Sequence, residues 1–414
     1  MGAAVRPARS RTSPVGKGNP HVLIAGAGIG GLTAALALLK LGFDVDLYEQ
    51  ARELKEVGAG LNLSANGNRA LHALGVLDDL KPLACDLTGK EIRLWNTGQT
   101  WKLFDLGAVS VERYGFPYLA VYRPDLLSVL ANAVRREKAD AIHLNSWCVG
   151  FTQEDGRVTL KLKGGGEVSG DALIGADGVH SKIRQALFGD DKPEFTGIMA
   201  WRATVPMQRL PKHMARMVGT NWVGSGANVV HYPVRRGEMM NFIGSVERDD
   251  WKTESWTTRG TAEECANDYK GWHEEVHLMI RNAPSLFKWA LLGRSPMDRW
   301  TIGHVSLLGD ACHPTLPSLG QGAMMAIEDG FVLARCFERY SSDVGTALAR
   351  YEDARRDRTR RVVTGSAENA KRFHNPALAS RDGAQAYVDG EWSEDRIKQR
   401  YEWLFTYDVT SVER

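Results

Sequence analysis

No stretch of this 414-residue chain is long and apolar enough to cross a bilayer. The best candidate, residues 32–41, is too short and carries Thr33 and Lys40. A stable membrane association is therefore not expected. An excess of charge is missing too: 52 basic residues stand against 50 acidic ones, a net charge of +2. That balance gives no reason to expect a nucleic-acid partner. Paired cysteines are absent. Cys85, Cys148, Cys265, Cys312 and Cys336 are scattered, odd in number and form no CxxC. A disulfide framework and a thiolate metal site are excluded, and a reducing, cytoplasmic setting is expected. Acid is missing from the first nineteen residues, MGAAVRPARSRTSPVGKGN. They read as a disordered tail. A transit peptide is the competing reading, while the lack of a following apolar segment argues against secretion.

What is present is ordinary for a globular enzyme: 43% hydrophobic and 25% charged residues, enough chain for two domains. The strongest local signal is HVLIAGAGIGGLTAALALLKLGFDVDLYEQ, residues 21–50. An apolar strand, 22–25, ends at a glycine-rich turn. A helix over 32–41 and a second strand over 44–48 follow. Gly26, Gly28 and Gly31 supply GxGxxG. Gly26 permits the tight turn, Gly28 lets backbone approach a pyrophosphate, and Gly31 lets helix and strand close up. Phosphates would sit on N–H groups at the positive helix end. Glu49 ends the second strand, placed to accept from a ribose diol. This is a complete βαβ dinucleotide unit, and by itself it fits NAD or FAD.

Two later segments repeat the pattern of strand, turn and helix: GADGVHSKIR at 175–184 and GDACHPTLPSLGQGAMMAIED at 309–329. In that order and spacing, with GAGIGG and Glu49, they resemble the three motifs of single-component flavoprotein aromatic hydroxylases, such as the salicylate, 3-hydroxybenzoate and 6-hydroxynicotinate hydroxylases. The resemblance spans roughly residues 20–408. It extends to VGAGLNLSANGNRALHALGVLDDL, VYRPDLLSVL and YEWLFTYDVTS.

The resemblance implies an α/β fold: a Rossmann-like FAD-binding domain, an inserted β-sheet substrate domain and a C-terminal helical region. The expected division is a tail over 1–19, FAD-binding parts over 20–85, 109–195 and 298–370, a substrate-domain hairpin over 86–108, the rest of the substrate domain over 196–297 and a helical end over 371–414. It implies FAD as cofactor, with NADH or NADPH and O2 as co-substrates. A C4a-hydroperoxyflavin would then attack a small phenolic or heteroaromatic, carboxylate-bearing substrate. Asp310 would meet the ribityl chain, and the loop through Pro317, Gly320 and Gly322 would lie on the isoalloxazine. Arg123, in YRPDLL, and Asp177 match family positions around the cofactors, and Arg52 is placed to reach the adenosine side.

For catalysis, His231 in NVVHYPV is the expected base, because imidazole titrates near neutrality. Asn62 and Tyr232 are further catalytic candidates. Asn228, Trp201, Arg202, Arg235 and Pro317 are candidates for the substrate wall, the arginines as carboxylate partners. Relatives often carry a histidine near the start of the His231 strand, where this chain has Ala227 and Asn228.

Other readings stay open. The fold also serves epoxidases and reductases; a halogenase is disfavoured because 286–292 reads LFKWALL without WxWxIP. A non-catalytic Rossmann binding protein has no need of the 309–322 loop. HEEVH at 273–277 matches a zinc motif but lacks a third ligand, so no metal is expected. The arginine-rich YEDARRDRTRRV reads as a solvated helix face. A homodimer is compatible with the chain, though no periodicity supports it.

Overall fold

The strand His21–Ala25 is where the architecture begins, and all but its first residue are buried. The computed structural model describes residues 19–54, 59–250 and 258–412. All but the last residue of the basic tail lies outside that set. The opening strand pairs in parallel with Asp44–Tyr48 on one side and Ala172–Gly175 on the other. Val305–Leu307 and Ile142–His143 extend this sheet in parallel, and the short Thr301–Ile302 closes it antiparallel. The helix Ile29–Lys40 covers it; ten of its twelve residues are buried. A helix apolar on nearly every side needs a second partner, and Gly322–Arg339 packs against it. Gly330 makes that approach possible: a Cβ there would lie 2.6 Å from the Ala34 nitrogen.

The second layer is an eight-stranded sheet. Its order is Arg259–Gly260, Leu286–Gly293, Glu194–Pro206, Met239–Glu247, Ala227–Val234, Val218–Gly224, Gly89–Leu94 and Thr100–Asp105. All neighbours are antiparallel except Val218–Gly224 with Gly89–Leu94. The 86–108 hairpin pairs into this sheet through Gly89–Leu94.

The residues of 260–293 suggest mainly helix by composition, and the structure differs. Ala262–Asp268 and Glu274–Asn282 are helices, but Leu286–Gly293 is a strand paired with Glu194–Pro206. Backbone pairing over that long neighbour overrides the helix-forming Leu, Lys and Ala of LFKWALL.

The arginine-rich segment lies in the helix Val344–Phe373, followed by Arg381–Glu391 and Glu394–Phe405. No helix among the described residues is long and apolar enough to cross a membrane. One core fills the space around the parallel sheet, and a second lies behind the large sheet around Trp201, Trp222 and Tyr269.

Candidate active site

Between the glycine turn and the large sheet lies a cavity of about 430 Å³, walled by residues from Gly28 to Tyr401. The helix start supplies Gly28, Ile29 and Gly30, and the loop supplies Asp310, Pro317, Gly320 and Gly322. The sheet supplies Lys90, Arg202, Asn228, Val230, Tyr232 and Ile243. Three distant parts of the chain therefore face one space.

The glycine turn fits a dinucleotide. A Cβ on Gly31 would stand 2.0 Å from the Gly26 carbonyl oxygen, so only glycine fits; Gly26 itself has φ +105°. On Gly28 an added Cβ would meet nothing within 4 Å, which leaves its backbone open to the cavity. Glu49 accepts from the Ala27 N–H and the Ala51 N–H, each at 2.8 Å. Its carboxylate thus fixes the turn, and the remaining oxygen lone pairs are available to hydroxyl donors. Arg52 is exposed on the segment after Glu49, outside the cavity wall.

Asp177 also works through backbone. It accepts from the Ser181 hydroxyl and from the Lys182 and Ile183 N–H groups, capping the helix Lys182–Phe188. Burial raises its carboxyl, against those hydrogen bonds. Its neighbours Ala176 and Gly178 line the cavity, while its own side chain does not.

The loop after the last parallel strand is held from behind. Asp329, on the helix that follows the loop, accepts from the Gly309 N–H at 3.1 Å and pairs with His313 at 2.7 Å. Its other oxygen accepts from Arg355 at 2.7 Å. Next to it Glu328 accepts from Arg355 and Arg358, and from Asn66, which also donates to Gln321 at the loop's end. Both carboxylates and Arg355 are fully buried. Burial works against the Asp329 charge, but His313 and Arg355 outweigh it and lower the carboxyl to about 2. This network was missed in the sequence, where the acids look like part of an amphipathic helix. His313 needed a partner, and the signal was an acidic pair about two helix turns past the loop.

Asp310 is exposed to the cavity, with protein packed around that opening. Burial raises it, while His313 and Arg123 pull the other way. Arg123 lines the same wall. Gly320 takes φ +66°. Its missing side chain leaves the loop surface flat beside Pro317.

On the sheet, strand parity sorts the candidates. Along Ala227–Val234, Asn228, Val230 and Tyr232 face the cavity. His231 falls between two of them and points to the opposite face. It is buried there, and neither ring nitrogen has a hydrogen-bond partner among the described residues. Burial, then the positive charge of Arg93, lowers it to about 3. The structure therefore does not bring His231 to the cavity, and a neutral imidazole of that basicity does not fit a base working near neutrality.

Trp201 is turned away by the same rule: its indole N–H donates to Asp268 at 2.7 Å behind the sheet, while its neighbour Arg202 lines the cavity and lies over the Trp289 ring. Arg235 is also outside. It pairs with Asp125 at 3.5 Å and lies over Tyr122.

Asn228 is gripped from its far side: its carbonyl pairs with His374 Nε2 at 2.8 Å, and its amide donates to Asn221 at 2.9 Å. The Tyr232 ring packs on Gly60, where an added Cβ would lie 2.7 Å from it. Two residues on, Asn62 lines the cavity, and its buried Oδ1 has no donor among the described residues. A buried acceptor without a donor costs about 1–3 kcal/mol. A ligand N–H or O–H would remove that cost.

The HEEVH segment does other work. His273 caps the helix Glu274–Asn282 and stacks on Trp222.

Comparison with known proteins agrees with this geometry. The family model described as "FAD binding domain" matches residues 19–366. A 3-amino-4-hydroxybenzoate 2-monooxygenase of Streptomyces platensis is 35% identical, over 95% of this chain and 97% of its own. A 3-hydroxybenzoate 6-hydroxylase of Polaromonas naphthalenivorans is 34% identical, over 94% of this chain and 96% of its own. Among solved structures, Klebsiella pneumoniae HpxO complexed with FAD and uric acid superposes with TM-score 0.80 at 26% identity, covering 95% of this chain and 97% of that one.

Proposed function

Because the chain belongs to the FAD-binding-domain family and is an FAD-dependent aromatic hydroxylase, we propose that it hydroxylates a small phenolic or heteroaromatic acid at the expense of NADH or NADPH and O2, in the cytoplasm. The observation that carries this reading is the single cavity that joins the dinucleotide turn, the 309–322 loop and one face of the large sheet.

FAD, when bound, supplies the activation of oxygen; the protein supplies position and exclusion of water. Gly26, Gly28, Gly31 and Glu49 hold the pyrophosphate and adenosine side. Asp310 and Arg123 take the ribityl side, and the loop at Pro317, Gly320 and Gly322 forms the flat floor. The Gly322–Arg339 helix points its N-terminus at that floor, which favours negative charge there. Asn62 Oδ1 accepts one donor from the cofactor or the substrate. Tyr232 and Asn228 orient the ring, with Val230 and Ile243 as its apolar wall. His231, on the opposite face of the sheet, does not act as the base.

The test is oxygen-dependent oxidation of NADH and NADPH by the purified yellow protein, with hydroxybenzoates, aminobenzoates and hydroxypyridines. Stimulated oxidation with one hydroxylated product supports the reading. Bound FAD with no stimulation by any of them refutes the aromatic-acid assignment.

A further inference from the structure

Three cationic side chains line the cavity: Lys90, Arg123 and Arg202. Arg123 sits near Asp310, and Arg202 lies over the Trp289 ring. Lys90 is held among phenol and phenyl rings. Its ammonium makes no ion pair with a carboxylate among the described residues. It donates to the Tyr118 hydroxyl and lies over two rings, 4.5 Å from the Tyr118 centroid and 5.9 Å from that of Phe104. Glu91, next in the chain, is engaged by Arg93, Arg216 and Thr220. An enclosed ammonium that no anion balances is costly, and such groups are normally paired. Here the open side is the cavity.

The sheet aims this group. Gly219 pairs with Lys90 and Thr220 with His231, so the row of Lys90 runs across Gly219 toward Tyr232. A Cβ on Gly219 would touch the lysine stem at Cγ and Cε, 3.4 and 3.6 Å away. The stem thus lies across a residue that has no side chain, and its head reaches the end of the cavity formed by Phe104, Tyr232 and Tyr401. Arg202 is four strands away in the sheet, about 19 Å at the usual inter-strand spacing of about 4.8 Å. The two cations therefore enter the cavity from well-separated strands.

We propose that Lys90, flanked by the phenols of Tyr118 and Tyr232, is the seat of the substrate's carboxylate and makes this cavity selective for aromatic acids over their neutral analogues. This deepens the function proposed above and rests on it for the identity of the ligand. It moves the carboxylate partner away from Arg202 and Arg235. The site is an ammonium with one phenol already bonded to it and a second facing the same space, bounded by aromatic walls that suit a flat ring. Burial lowers Lys90 to about 8. The phenols of Tyr118, to which Lys90 is bonded, and of Tyr232 and Tyr401, which line the same cavity, are all raised by burial and stay protonated there. Burial alone would raise Glu91, but its pairing with Arg216 and Arg93 leaves it lowered and charged throughout. Acid affinity should therefore hold below about pH 8 and decline above it.

The experiment titrates the FAD-loaded enzyme with benzoate and with benzamide, a neutral analogue of the same shape, following the flavin absorbance. The variants are Lys90→Met, Lys90→Arg and Arg202→Met. The expected result is a benzoate affinity at least tenfold weaker in Lys90→Met, benzamide within threefold of wild type, and recovery of benzoate binding in Lys90→Arg. The inference is overturned if wild type does not prefer benzoate or does not bind it. It is equally overturned if Lys90→Met weakens both probes alike, or if Arg202→Met alone removes the preference. Should no acid give product while benzoate binding still depends on Lys90, the hydroxylation reading fails and the carboxylate seat stands.

Discussion

Replacing Asp329 by asparagine tests whether the flavin loop is held from behind by charge. The carboxylate answers three donors at once: the Gly309 N–H, His313 and Arg355. An asparagine offers one acceptor oxygen and turns an N–H₂ toward whichever partner it fails to serve, either His313 or a fully buried guanidinium. Breaking one side of a buried ion pair costs about 3–5 kcal/mol. A second route to the magnitude is the carboxyl's own titration. It is lowered from 3.8 to about 2, which at about 1.4 kcal/mol per pH unit is about 2 kcal/mol of stability at neutral pH. Because the folded value is the lower one, that contribution is complete above about pH 4 and is lost as pH falls through 2. Asp329→Asn should therefore lower the unfolding free energy by about 3–5 kcal/mol at pH 7 and flatten the acid limb of the stability curve. Flavin should leave the variant at a lower denaturant concentration than the wild type. Denaturant titration at pH 7 and pH 3, read by flavin fluorescence and by circular dichroism, measures both. Adding Arg355→Met should cost less than the sum of the single changes, since each removes the other's reason for being charged. A variant that keeps wild-type stability at both pH values, or strictly additive changes, would refute the reasoning.

Two further outcomes follow from the geometry. His231→Gln should leave the pH profile of turnover unchanged between pH 6 and 8, because the ring faces away from the cavity. It should also blunt acid sensitivity: a histidine lowered to about 3 from the ordinary 6.5 holds its contribution above pH 6.5 and loses about 2 kcal/mol by pH 5. Thermal melts at pH 7 and 5 check this, and equal losses in both proteins would contradict it. Gly31→Ala drives a methyl group to 2.0 Å from the Gly26 carbonyl; the purified variant should be nearly colourless, as read by its absorbance near 450 nm against protein, and full flavin content would count against the tight-turn argument.

The dinucleotide unit was legible because its glycines, strands and terminal acid lie within thirty contiguous residues and each has a local physical reason. The loop at 309–322 was legible for the same reason, since its glycines and prolines describe a shape. The sheet was less so. Both faces are buried along Ala227–Val234 and along 198–203 of its neighbour, so no alternation of polar and apolar residues says which face meets the cavity, and His231 and Trp201 were assigned to the wrong one. Lys90 hides in GKEIRL, whose charges look like an exposed edge until Val218–Gly224 is seen beside it. Asp329 meets His313 sixteen residues away across a loop, and Asn228 meets His374 across 146. Those pairings exist only once the tertiary fold does.

The cavity wall draws on residues from Gly28 near the start to Phe373 and Tyr401 near the end. That has a consequence for how the protein is made. The dinucleotide turn is synthesised first, but at that stage it faces only solvent, and the loop, the floor helix and the closing aromatic residues are still to be translated. Flavin capture accordingly waits for the late-made loop, and a message truncated ahead of codon 309 yields chains with the signature of a flavoprotein but without the floor on which the pigment would rest.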